Sequence, residues 1–129
     1  MSVVDVKFRS TWRGPTFRRK VRAGMGRNLA LAARYTRDEI RRRISVQGSY
    51  VPANHSAPGD YPYRQSGKLI RSYRFAVDRQ RLFAWIGTEL VYGRYLEQGT
   101  RIMKPRPHVR RTIYGNPVIA GLMCARITI

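Results

Sequence analysis

The chain has 129 residues, one cysteine, and 26 Lys and Arg against 7 Asp and Glu, for a formal net charge of +19. That length is one domain's worth, residues 1 to 129 as a single unit, with one modest core. An intrachain disulfide is excluded, the apolar runs are too short to span a bilayer, and the charge directs the chain toward polyanions or acidic protein surfaces.

Residues 3 to 9 alternate Val4, Val6 and Phe8 with Asp5, Lys7 and Arg9, the pattern of a half-buried strand rather than of a secretion signal. Ser10 to Pro15 break it, with Gly14-Pro15 as punctuation. Residues 18 to 44 carry the clearest helix, because Val21, Met25, Leu29, Ala32, Thr36, Ile40 and Ile44 recur at steps of three or four. Arg22, Arg34, Arg37 and Arg41 lie off that stripe, and Gly24 and Gly26 predict irregular first turns.

From about 45 to 66 the periodicity dissolves among Gly48, Pro52, Asn54, Pro58, Gly59 and Pro62. A loop this long inside a compact domain points to function or a partner. Its aromatics, Tyr50, Tyr61 and Tyr63, predict ordering against another subunit. His55 has no neighbouring ligand, so no metal site is expected there. Ser66 is placed to cap a short helix bearing Leu69 and Ile70.

Tyr73, Phe75 and Val77 then alternate with Arg74, Ala76 and Asp78, and the turn Asp78-Arg79-Gln80-Arg81 leads into Leu82 to Thr88. The pair predicts an antiparallel hairpin, and the second strand, apolar on both sides, predicts cover on both faces.

Tyr92, Tyr95 and Leu96 fall on one side of a helical turn, which Gly99 ends. Glu97, a rare acid, is placed to accept backbone N–H groups from the following loop and pin it. Arg101 to His108 is an extended basic loop held from helix by Pro105 and Pro107. Pro107 then suits the first turn of a short helix through Tyr114. Gly115-Asn116-Pro117 interrupts, and a last helix to about Ala125 precedes a strand-like tail. Cys124, among Leu122, Met123 and Ala125, reads as core or interface packing.

The predicted fold class is α+β: a small mixed or antiparallel sheet packed on one long N-terminal helix, with a long loop and short C-terminal helical segments. No acid pair suits general acid–base work, and no phosphate loop, zinc spacing or dinucleotide fingerprint is present. The reading is non-enzymatic, with no cofactor and no metal.

Residues 59 to 108 resemble the tail-component family of tailed bacteriophages, typified by gene product ten of phage HK97. The resemblance rests on Gly59-Asp60-Tyr61-Pro62, on Gln65-Ser66-Gly67-Lys68-Leu69 with Arg71-Ser72, and on a hairpin ending in Gly87-Thr88. Leu96-Glu97-Gln98-Gly99-Thr100 and Arg106-Pro107-His108 complete it, in that order. Ser66 stands where the family has Thr, Gly93 where it has Ala and His108 where it has Phe, and the break at Gly115-Asn116-Pro117 replaces one long final helix. The resemblance implies a structural protein of the virion, assembled in the bacterial host cytoplasm. It would act at the head–tail junction or proximal tail as a tail-completion, terminator or neck subunit. The implied partners are itself, in a homo-hexameric ring, and the connector, stopper and tail-tube proteins; no membrane is implied. The implied subunit interface is Tyr61, Leu69, Tyr92, Tyr95, Glu97, Gly99, Thr100 and Pro107. Arg37, Arg41, Arg42, Arg43, Arg101, Lys104, Arg106, Arg110 and Arg111 are expected to face genomic DNA or acidic partners. The alternative is a basic nucleic-acid-binding protein that tolerates any sequence.

Overall fold

The computed structural model describes residues 13–46 and 56–124. Helix α1 spans Gly14–Arg43, α2 Lys68–Ser72, strands β1 and β2 Arg74–Asp78 and Phe83–Gly87, α3 Val91–Gln98, α4 Val109–Tyr114 and α5 Pro117–Met123. The architecture is α+β, with a two-stranded antiparallel sheet and short C-terminal helices on one long helix. The expected strand at 3 to 9, the loop around Tyr50 and His55 and the tail beyond Cys124 lie outside the described residues.

Helix α1 starts at Gly14, four residues before the predicted start at residue 18, with Pro15 in its first turn. Gly14-Pro15 therefore opens the helix rather than breaking the chain, because proline's fixed φ suits a first turn whose N–H groups lack intrahelical partners anyway. Gly24 and Gly26 are regular, buried helix positions rather than irregular turns. At Gly26 the Arg79 side chain of the hairpin turn packs on α1, 3.4 Å from where a Cβ would stand. There the Arg22 guanidinium donates to the Gln80 carbonyl at 2.7 Å. The predicted stripe is buried at Ala32, Thr36, Ile40 and Ile44, but Met25 is exposed.

The hairpin turns on Asp78, whose carboxylate accepts from the N–H groups of Gln80 and Arg81 at 2.9 Å each. Its register pairs Phe75 with Ile86 and Val77 with Ala84 on the half-buried face toward α1. Ala76 pairs with Trp85 and Asp78 with Phe83 on the other face. That outer face is open among the described residues. Phe83 and Trp85 are 50% and 55% exposed and pack edge to face at 4.6 Å, so the expectation of cover on both faces of β2 fails.

Ile40, Ile44 and Tyr73 form the core, with Tyr61, Leu69, Ile70, Ile86 and Val109 packed against them. Helix α5 lies on α1. Asn116 caps it by accepting from the Val118 N–H at 3.0 Å, and donates to the Tyr35 hydroxyl at 3.3 Å. Gly67, at φ +72°, rather than Ser66, occupies the cap position of α2.

Candidate functional site

Among the described residues, Glu97 sits at the centre of a densely hydrogen-bonded polar group. Gly99 ends α3 as expected: its N–H returns to the Tyr95 carbonyl at 2.8 Å and its φ is +76°. A Cβ there would press on the Met103 carbonyl at 2.9 Å and on Pro105, so only glycine fits the turn. Thr100 closes the next loop, its N–H donating to the Met103 carbonyl at 2.8 Å and its hydroxyl accepting from the Met103 N–H at 3.1 Å. The chain then doubles back, and the Arg106 N–H reaches the Leu96 carbonyl at 2.7 Å.

This return brings the start of α4 over the Glu97 carboxylate. The carboxylate accepts from three successive backbone N–H groups, those of His108 (2.8 Å), Val109 (3.0 Å) and Arg110 (2.9 Å). These are N–H groups that a helix start leaves without intrahelical partners, at its positive end. Glu97 is thus a clamp, as its rarity suggested, but it grips residues 11 to 13 positions away rather than the adjacent Gly99-Thr100. Partial burial pushes its pKa up. The three N–H groups and His108 outweigh that, and the pKa ends lowered.

His108 has no exposed surface. Its Nδ1 lies 3.2 Å from the Arg106 carbonyl and 3.3 Å from Glu97 Oε2, both acceptors, so Nδ1 carries the proton. Nε2 then accepts from the Tyr73 hydroxyl. Burial lowers the His108 pKa, which keeps the ring neutral, and burial raises that of the Tyr73 phenol, with the Glu97 carboxylate adding to it. With His108 closed to solvent, the trio fastens α4 to α3 and to the residue before β1; it offers a substrate no imidazole to meet.

The remaining family-like turns join the same unit. The Gly59 N–H donates to the Pro105 carbonyl at 3.0 Å, and Arg111 donates to the Gly59 carbonyl at 2.8 Å. The Tyr61 ring lies between two guanidinium groups, 5.3 Å from Arg43 and 5.0 Å from Arg111. The Ser72 and Thr88 hydroxyls are hydrogen-bonded, which ties the end of α2 to the end of β2. Gly93 faces Thr88 and Leu69 so closely that a Cβ would meet the Thr88 methyl at 2.5 Å.

Of the expected interface residues, Tyr61 and Leu69 are packed against the core, Glu97, Gly99 and Thr100 shape the turn, and Pro107 is half-buried just ahead of α4. Tyr92 and Tyr95 are exposed while Leu96 is buried, so the three do not share one environment. Of the expected contact cations, Arg41 bonds the Tyr73 carbonyl and Arg37 grips Asp38 and lies over Phe75. Arg42 and Arg43 hold the Glu39 carboxylate at 2.7 Å each, and Arg106 bonds the Ser56 carbonyl. Hydrogen bonds from Arg42 first, then Arg43, outweigh burial and bring the Glu39 pKa down to about 2. Arg101, Lys104 and Arg110 are exposed. The sequence reading missed Tyr73, Glu39 and the outer pair Phe83 and Trp85. Only the hairpin alternation, which puts Phe83 and Trp85 on the other sheet face from Phe75 and Val77, carried a signal for any of them. Cys124 is exposed.

Among the described residues no three His, Cys, Asp or Glu side chains gather to hold a metal ion, and no helix is long and apolar enough to cross a membrane. Comparison with family models, curated proteins and solved structures gives no match.

Proposed function

We propose that this chain is a structural subunit of a tailed bacteriophage, acting at the head–tail junction or proximal tail and assembling into a ring with copies of itself. The observation that carries the reading is the split between polar turns closed inward and apolar side chains left outward. The segments that resemble the phage family close on one another around Glu97, which gives each a structural reason to be where it is. Meanwhile Phe83, Trp85, Leu90, Val91, Tyr92 and Tyr95 stay exposed on β2 and α3. Exposed aromatic side chains of this kind are what a subunit buries against neighbours.

The test is the solution mass by light scattering at moderate and high salt, for the wild type and for Tyr92→Ser combined with Tyr95→Ser. The expected result is a salt-resistant oligomer that the double substitution dissociates without changing the far-UV spectrum. A wild-type monomer at both salt concentrations, across the accessible protein range, removes the ring.

A further inference from the structure

We propose that α1 carries a surface for the sugar-phosphate backbone of duplex nucleic acid, formed by Arg13, Lys20, Arg27 and Arg34. These residues recur at every seventh position. On an α-helix that spacing sets them about 10.5 Å apart, in a line that drifts only about 20° per step. The line covers about 31 Å and runs opposite the buried side of α1, where Asn28, Ala32, Thr36 and Ile40 lie. All four side chains are exposed.

Three features separate this row from an ordinary solvated helix face. The first is the absence of counter-charge. Helix α1 holds no acid before Asp38, and Arg13, Lys20 and Arg27 make no hydrogen bond or ion pair through their side chains among the described residues. Arg34 has only a 4.0 Å approach to Asp38, whose carboxylate is held more closely by Arg37 at 2.6 Å. The second is placement. Cations are disfavoured at a helix N-terminus, yet Arg13 holds the N-cap position, and Arg18, Arg19 and Lys20 follow a first turn that contains no acid. Repulsion among these like charges opposes the arrangement, so an external anion is the natural counterpart. The third is division of labour. Arg22, Arg37, Arg41, Arg42 and Arg43 are engaged within the fold, whereas the row is left over.

A linear, evenly spaced row suits a linear polyanion of uniform charge better than the irregular acidic patch of a protein. Its length matches about nine base-pair steps of a duplex, at 3.4 Å per step. Three of the four cations are arginines, whose planar fork binds phosphate bidentately. With no base-reading element implied, binding is indifferent to sequence.

The experiment measures binding of the full chain to two unrelated 30-base-pair DNA duplexes between 50 and 200 mM salt. The variant replaces Arg13, Lys20, Arg27 and Arg34 together with Gln, a residue of similar helix propensity. Four phosphate contacts contribute about 3.6 to the slope of log affinity against log salt, about a hundredfold across that range. The fourfold variant is expected to lose that slope on both duplexes and keep its far-UV spectrum, and each single Gln substitution to lose about 0.9. The proposal is overturned by an unchanged slope in the fourfold variant, or by a wild type that does not bind at 50 mM. It is overturned equally if Arg101→Gln with Lys104→Gln carries the loss instead, or if polyglutamate at equal charge competes as well as DNA, which would assign the row to an acidic protein. The slope lost in the fourfold variant reports this surface; the oligomer mass reports the ring.

Discussion

Replacing Glu97 with alanine removes the acceptor of three consecutive N–H groups at the start of α4 and the carboxylate beside His108 Nδ1. Hydrogen bonds to a charged acceptor contribute about 1.5 to 3 kcal/mol each, but three on one carboxylate are not additive, and water reaches part of the site. A net loss of about 3 kcal/mol is expected, and in a domain of this size that lowers Tm by roughly 12 °C. Glu97→Gln keeps one acceptor oxygen but turns an NH2 group toward an N–H donor, so about half of that loss is expected. The assay is thermal melting of dilute protein followed by circular dichroism, with the mass measured in parallel to separate folding from association. A drop below about 3 °C in the alanine variant, or a Gln variant as stable as the wild type, would refute the clamp. Equal melting with a lost oligomer would instead place Glu97 in the subunit contact.

Three further outcomes follow from contacts already described. Gly93→Ala gains about 1 kcal/mol of helix propensity but drives a methyl into that of Thr88, whose hydroxyl is held by Ser72 and Leu90. Thr88→Ser should relieve the clash, so a double-mutant cycle should show coupling of about 1 to 2 kcal/mol, and additive melts would contradict the packing. Tyr73→Phe leaves His108 Nε2 buried without a donor and should cost about 1 to 3 kcal/mol, whereas adding His108→Phe removes both partners and should recover part of it in urea melts. With pH, the folded pKa values of His108, Glu97 and Glu39 are all depressed, so each contributes stability above its unfolded value that is lost as pH falls. Urea midpoints should decline in one step below about pH 6.5 from His108, and in another from about 4.5 downward from the two carboxylates. A midpoint that rises on acidification from pH 7 to 5 would contradict the neutral, buried His108.

The C-terminal half of α1 was legible because Ala32, Thr36, Ile40 and Ile44 recur at helical spacing and meet a core there. The N-terminal half has the same periodicity, but Met25 is exposed, since which side chains a packed layer covers is a tertiary fact. The antiparallel hairpin was legible in its alternation, but its outer face was not, because an apolar residue on a strand reads the same whether a layer or nothing covers it. The role of Glu97 followed from the scarcity of acids, while its donors stayed hidden because the reversal at Gly99 decides what lies above the carboxylate. Tyr61, read as reaching for another subunit, is held within its own by Arg43 and Arg111, a stacking between residues far apart in the chain that no local pattern announces.

The hold of the hairpin turn on Gly26 and Arg22 divides α1 mechanically. Among the described residues, the eight residues from that support back to Gly14 reach about 12 Å past it, continuous with the clamped half. A tilt of about 10° at the support displaces its tip by roughly 2 Å. Amide exchange should therefore grade along the rod, slowest around Ile40 and fastest toward Phe17, and loading the tip should slow the outer turns first.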